Sequence, residues 1–213
     1  MRYVTEEDAK LWLTDTLDVS RETLDKLDVL RGLVIEASRQ QNLISAASID
    51  TFWVRHIVDS AQLLLHSPSS ADSWLDLGTG AGFPGLVIAI LVDTPVHLVE
   101  ERRKRHEFLT ATTERLGLTN VTVHGCRVEV LNLGTMGVIS ARAFAPLPKL
   151  LSLGHRFSQK GTVWLLPKGK SAKEELESIG DAWQGVFHVK QSITDPDSAI
   201  IVARGIRAGA KSR

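Results

Sequence analysis

The most chemically specific stretch of this 213-residue chain is Trp74-Leu-Asp-Leu-Gly-Thr-Gly-Ala-Gly-Phe-Pro-Gly85. An apolar run passes there straight into a glycine-dense turn and then into the aliphatic stretch Leu86 to Val92. Glycines at the end of a strand let the backbone turn tightly and approach a ligand, whose polar groups then meet the exposed amides of the following helix. The loop reads in two registers. Gly78, Gly80 and Gly82 form G-x-G-x-G, whereas Gly80, Gly82 and Gly85 satisfy the dinucleotide pattern G-x-G-x-x-G. Both registers expect an acid at the end of the next strand to accept from ribose hydroxyls, and Glu100 closes the run Val96-His-Leu-Val-Glu100. Asp76, just ahead of the first glycine, is placed to reach a ligand amine. These residues point to a nucleotide-like ligand and leave its class open.

For these residues to meet, the chain after Trp74 must alternate strands and helices. Apolar runs predict strands at 74–77, 95–100, 121–125, 136–140 and 161–166, and amphipathic segments predict helices at 84–92, 102–116, 147–156 and 171–182. Such alternation implies an α/β fold built on a mostly parallel sheet. Two closing runs, Val186 to Ile193 and Ala199 to Ala203, flank the turn Thr194-Asp-Pro-Asp-Ser198 and predict a hairpin with an antiparallel last strand. Residues 1–66 read as an N-terminal helical cap. Thr5-Glu-Glu-Asp8 supplies an N-cap, Leu24, Leu27, Leu30 and Val34 follow at helical spacing, and a third helix covers Ile49 to His66. The polar stretch His66 to Ser73 separates this cap from a core at 73–205 and leaves 206–213 as a short basic tail.

The 25 basic and 25 acidic side chains cancel, which argues against a protein that holds naked nucleic acid by bulk attraction, although local basic patches can still contact phosphate. Residues 1–30 carry eight acids against four bases, so this face should avoid phosphate. Cys126, the one cysteine, can form neither an internal disulfide nor a multi-cysteine zinc site, and no metal site is expected. The acidic start Thr5 to Asp8 is unlike a secretory signal, and no aliphatic run approaches the roughly 20 residues of a membrane span. The expectation is a cytoplasmic, monomeric protein that engages neither membrane nor DNA.

Several further segments, taken in order with the glycine loop, resemble one known family: Asn42-Leu-Ile-Ser45, Arg55-His-Ile-Val-Asp-Ser60, Lys104-Arg105 with Phe108-Leu109, Arg127-Val-Glu129 and Arg142-Ala-Phe-Ala145. The chain is similar to the ribosomal RNA small subunit methyltransferase G family, also called glucose-inhibited division protein B. The resemblance implies a Rossmann-like class I methyltransferase fold, S-adenosylmethionine as cofactor, and methylation of N7 of a guanine in the 530 loop of 16S rRNA, within the small ribosomal subunit or its precursor. It further implies that Gly78 and Phe83 line the cofactor site, that Glu100 meets the ribose, that Val128 and Glu129 flank the adenine, and that Arg142 lies at the mouth shared by cofactor and substrate. The sequence departs from the usual pattern at Ile44, Ala81, Phe83 and Glu100, and Ser140-Ala-Arg142 carries one residue more than the usual Ser-Arg.

Guanine N7 offers an in-plane lone pair and no proton, so methyl transfer needs alignment rather than a general base, and no catalytic His or Cys is expected. A cation at N7 would block the reaction, which suits Arg142 to substrate positioning through O6 or phosphate. Candidate RNA contacts are Arg55 and His56, Lys104 and Arg105 in the cluster Arg102 to His106, and Lys168 after a strand; solvated faces or internal ion pairs explain the same residues equally well. Two rival functions remain at this level. The literal glycine pattern with Glu100 also fits an NAD(P)-dependent oxidoreductase, which would bind NAD and not S-adenosylmethionine. A non-catalytic ribosome-assembly factor would keep the loop only as a relic.

Overall fold

The structure, a computed structural model, describes residues 5–209. Seven strands form one sheet: β1 (Trp74–Leu77), β2 (Val96–Val99), β3 (Val121–His124), β4 (Val138–Ser140), β5 (Val163–Lys168), β6 (Trp183–Gln191) and β7 (Ala199–Ala208), in the order β3-β2-β1-β4-β5-β7-β6. The first five run parallel, and β7 is inserted antiparallel between β5 and β6. The chain begins in the middle of the sheet, winds outward to β3 and returns to β4. The carboxyl ends of β1 and β4 therefore open a crevice at the point where the winding direction reverses.

The inner strands feed two cores, because successive side chains point to opposite faces. Trp74, Val96, Leu98, Val138, Val163, Leu165, Ile200 and Val202 face one core. Leu75, Leu77, Val99, Ile139, Trp164, Leu166, Ile201 and Ala203 face the other. On the first face lie α4 (Gly85–Leu91) and α5 (Arg103–Leu116), with the amino-terminal helices α1 (Glu6–Leu17) and α2 (Arg21–Gln41) joined to the same apolar cluster. On the second lie α6 (Leu147–Gly154) and α7 (Ala172–Glu177). Trp74 and Trp164 are buried core residues. Among the described residues no helix is long and apolar enough to cross a membrane.

The start of α1 is fixed by a capping box in which the Thr5 hydroxyl accepts from the Asp8 amide and the Asp8 carboxylate accepts from the Thr5 amide. The segment expected as one helix from Ile49 differs. After a 3₁₀ turn at Ala46–Ser48, it comprises a π-helical stretch at Trp53–Val58, a single turn α3 (Asp59–Ala61) and a 3₁₀ helix at Gln62–His66. Wide turns of this kind concentrate at functional sites, and Arg55 and His56 lie on this one.

The closing hairpin is longer than its apolar pattern suggests, since β6 begins at Trp183 and β7 continues to Ala208. Gln184 pairs with Arg207 across a register shift at Gly185, so residues 206–208 belong to the sheet and not to a tail. Arg204, Gly205 and Arg207 show no apolar alternation because this end of β7 reaches the limit of β5 and is half-buried to exposed. The remainder of the expected basic tail, 210–213, lies outside the described residues.

Cap and hairpin are clasped by a buried glutamine. The Gln62 side-chain amide donates to Ser192 Oγ at 3.1 Å and Asp59 Oδ1 at 2.9 Å, and its oxygen accepts from the Ile193 amide at 3.0 Å. Thr194 Oγ1 adds a bond to Asp59 Oδ1 at 2.9 Å. Leucine at position 62 would fill the space and leave the Ile193 amide unpaired. Gln62→Leu is expected to lower unfolding free energy by about 1–3 kcal/mol in urea titration, and a loss below about 0.5 kcal/mol would contradict the clasp.

Candidate functional site

The glycine loop crosses the carboxyl end of β1 with Gly78, Gly80 and Gly82 at φ 67°, 62° and 104°, a region that side chains other than glycine rarely enter. Space is as restrictive as torsion. A Cβ on Gly78 would run into the Phe144 ring, and one on Gly85 would lie 2.8 Å from Asp76 Oδ2. The Thr79 amide donates to the Val99 carbonyl at 3.0 Å, which ties the loop to β2.

Asp76 does not reach into the cleft. It has no exposed surface; Oδ1 accepts the Ser140 hydroxyl at 2.7 Å and Oδ2 accepts the Gly85 amide at 3.1 Å. Ser140 Oγ in turn accepts from the Trp74 indole at 2.8 Å. The expected contact with a ligand amine is thus replaced by a brace between β1, β4 and the helix after the loop. Desolvation raises the Asp76 pKa to about 6, and the bonds from Ser140 and Gly85 oppose that rise.

Glu100 closes the other side of the loop. Its Oε2 accepts the Gly80 amide at 3.0 Å, its Oε1 accepts the Arg102 amide at 2.8 Å, and Arg105 Nη1 lies 3.9 Å away. Each oxygen keeps a second lone pair, so the carboxylate can still accept from two neighbouring hydroxyls. Its own amide donates to His124 at the end of β3, which brings the next turn, Val128–Val130, to the same edge of the sheet. Val128 is buried there, whereas Glu129 is exposed and pairs with Arg127 at 2.8 Å. The Arg156 guanidinium fastens this turn by donating to the carbonyls of Val128, Glu129 and Leu131. That role had no signal in the sequence, since Arg156 is distant along the chain.

Arg142, past the end of β4, sits in a knot of neutralising contacts. Nη1 donates to Asp59 Oδ2 at 3.3 Å and to the Arg55 carbonyl at 3.2 Å, Nη2 donates to His56 Nδ1 at 3.3 Å, and the guanidinium lies 5.2 Å from the Phe83 ring. Three of its five N–H groups are used, which leaves two for a ligand. Because His56 Nδ1 accepts, its Nε2 carries the proton and donates to Ser48 Oγ at 3.0 Å. The His56 ring stacks on Phe83 at 4.8 Å, and Phe52 meets both rings edge-on. Burial, then the charges of Arg142 and Arg55, lower the His56 pKa to about 3.

These elements enclose a cleft of about 1410 Å³. Of the expected residues, Gly78, Gly80, Phe83, Arg55, His56, Arg105, Arg142 and Lys168 line it; Asp76, Gly82, Glu100, Val128 and Glu129 stand behind or beside it. Lys104 is exposed on α5. Lys168 Nζ pairs with Glu175 Oε2 at 2.7 Å, and that oxygen also accepts the Leu147 amide at 3.0 Å. The cleft also gathers Ser48, Phe144 and Thr194, whose contributions come from tertiary contacts that no local pattern marks.

Two buried titratable groups, His56 and Asp76, give opposite pH signatures. His56, depressed in the folded state from 6.5 to about 3, contributes stability that is complete above pH 6.5 and lost as pH falls toward 3. Asp76, raised from 3.8 to about 6, contributes stability that is complete below 3.8 and lost as pH rises through 6. The imidazole of His56 is expected to remain neutral, as the Nε2–H tautomer, in NMR spectra at about pH 5, and a titration midpoint above that pH would contradict the knot.

Comparison with known proteins gives a consistent result. A family model described as rRNA small subunit methyltransferase G matches residues 23–198. The chain is 50% identical over 207 residues to the ribosomal RNA small subunit methyltransferase G of Novosphingobium aromaticivorans, covering 96% of this chain and 90% of that protein. It is 46% identical over 213 residues to the protein of the same name from Rhizorhabdus wittichii, covering 99% and 97%. Among solved structures it resembles an O-methyltransferase from Bacillus cereus in complex with SAH (TM-score 0.58, 17% identity, 91% of this chain and 96% of that one). It also resembles a SAM-dependent methyltransferase from Aquifex aeolicus (TM-score 0.59, 17% identity, 78% and 96%). At that identity the likeness shows the fold, a Rossmann-like class I methyltransferase architecture, and the sequence matches displace the nicotinamide reading of the loop. The chain belongs to the rRNA small subunit methyltransferase G family.

Proposed function

We propose that this protein transfers a methyl group from S-adenosylmethionine to N7 of a guanine in the 530 loop of 16S rRNA, acting on the small ribosomal subunit or its precursor. The residues present fit that cofactor. Side chains are excluded at Gly78, Gly82 and Gly85, which keeps the loop backbone bare, and Glu100 offers two oxygens with spare lone pairs to a ribose diol. Buried Val128 and exposed Glu129 lie at the next strand end, where they would flank an adenine. When bound, S-adenosylmethionine supplies a methyl group on a positively charged sulfur.

The observation that carries the reading is the state of His56. It is the one histidine among the described residues lining the cleft, it is neutral, and both ring nitrogens are bonded. The imidazole in the cleft is therefore not a ready proton acceptor, and two of the cleft's carboxylates, Asp59 and Glu175, are paired with Arg142 and Lys168, which suits alignment of a lone pair with no proton to remove. Arg142 is held by Asp59 so that its charge is balanced before substrate arrives, which suits its two remaining N–H groups to guanine O6 or a phosphate. Arg55, Arg102 and Lys104 are exposed, as are Arg103 and Arg127, which pair with Glu107 and Glu129. On the cap, Glu6 and Asp28 are paired with Lys10 and Arg31. With no net charge overall, shape and protein surface within a ribonucleoprotein particle would supply much of the recognition.

The test is methyl transfer from labelled S-adenosylmethionine to small subunits lacking 7-methylguanosine, with the modified nucleotide mapped by cleavage. Incorporation is expected at one guanine of the 530 loop, with slower turnover on protein-free 16S rRNA. Incorporation elsewhere, or none, would overturn the reading; none would favour the assembly-factor alternative. Glu100→Ala should weaken cofactor binding by about tenfold or more in calorimetry, because hydrogen bonds to a charged acceptor are lost. Turnover should be flat between about pH 6.5 and 8, where His56 does not titrate.

A further inference from the structure

Arg142-Ala-Phe-Ala145 contributes more to the cleft than its arginine. Ala143 adopts φ 51°, a left-handed conformation that a residue with a Cβ enters at a cost of about 1 kcal/mol. The turn it makes directs Phe144 onto the carboxyl end of β1, where the ring lies on the backbone of Gly78: a Cβ there would fall 2.7 Å from Cγ and 2.9 Å from Cε2. Gly78 is thus required twice over, by its torsion and by the ring seated against it. The ring is only half-buried and lines the cleft beside Pro146. Phe83, the other phenylalanine lining the cleft, is 2% exposed and already covered by His56, Phe52 and Arg142. Phe144 is engaged by no other ring and no cation among the described residues.

We propose that Phe144 is the platform on which the target guanine stacks, an inference that rests on the function proposed above. A single-stranded base drawn into a cleft gives up stacking on its neighbours, and an aromatic face replaces it. The chemistry adds a second gain. As the N7–methyl bond forms and the sulfur–methyl bond breaks, the sulfur keeps the bonding pair and positive charge passes to the purine. A π face attracts that cation more strongly than the neutral base. The platform therefore favours the transition state over the bound ground state and should act on kcat as well as on KM.

The experiment compares Phe144→Leu, Phe144→Tyr and Phe144→Trp. Loss of one base–aromatic stack corresponds to about a 5- to 150-fold fall, so kcat/KM for methylation of the small subunit should drop by that range in the leucine variant and recover to within about threefold in the aromatic ones. Affinity for S-adenosylhomocysteine, read by calorimetry, should stay within about threefold of wild type in all three, which also reports an intact fold. Independently of turnover, p-benzoylphenylalanine in place of Phe144 should photocrosslink to the target guanine, mapped as a reverse-transcription stop. Three results would each overturn the proposal: a leucine variant as active as wild type, a loss of S-adenosylhomocysteine affinity as large as the loss of kcat/KM, or a crosslink away from the guanine. Should wild type itself methylate no guanine, the functional reading falls, and the crosslink position alone decides whether Phe144 stacks on a base.

Discussion

Asp76 lies beneath the glycine loop with no exposed surface, and its bonds to the Ser140 hydroxyl and the Gly85 amide join the three elements on which the cleft depends. A buried carboxylate is costly unless it is fully bonded. Here one oxygen holds β4 and the other holds the start of α4, so the loop between them is fixed at both ends. The Trp74 indole completes the chain by donating to Ser140. With the loop fixed, Gly80 can present its amide to Glu100, and Gly78 can carry the Phe144 ring. Ser140 thus serves a strand and a site together, and the residues just after it, Arg142 to Phe144, inherit its position.

The second constraint is charge. The cleft collects Arg55, Asp59, Arg105, Arg142, Lys168 and Glu175, yet most of these are compensated before any ligand arrives. Arg142 is balanced by Asp59, Lys168 by Glu175, and Arg105 approaches Glu100. His56 stays neutral and serves as a hydrogen-bonded spacer between Arg142 and Ser48. Such an arrangement suits chemistry in which a cationic donor meets a neutral base, because a free cation near the acceptor nitrogen would oppose the transfer. It also explains why the cap is tied to the hairpin through Gln62 and Thr194: both hold Asp59 in place.

The local signals in the sequence were sufficient for the fold. Apolar runs, the glycine loop and the Thr5 cap each act over a few residues, and the strands, loop and first helix they mark appear in the structure close to where expected. The last hairpin extends further than its apolar runs, because β7 past Arg204 outruns β5, pairs only with β6 and is half-buried to exposed, so no apolar alternation is required there. The site was legible only in part. Glycine torsions and the acid ending β2 follow from local rules, but the partners of a charged side chain do not. Strand alternation gives a face and not a depth, so it points Asp76 toward a ligand where the structure buries it. Nothing near Lys168 along the chain reveals Glu175 paired with it. Phe144 stood unremarked inside a motif dominated by arginine.

The direct test of the brace is calorimetric titration of S-adenosylhomocysteine into wild type, Asp76→Asn and Asp76→Ala, with circular dichroism to verify folding. Asparagine keeps an acceptor for the Gly85 amide and should bind within a few fold of wild type, whereas alanine frees both ends of the loop and should weaken binding by about tenfold or more although position 76 never faces the cleft. Wild-type affinity in a folded alanine variant would show that the loop holds its shape without the carboxylate, and would contradict the dependence of the site on Asp76.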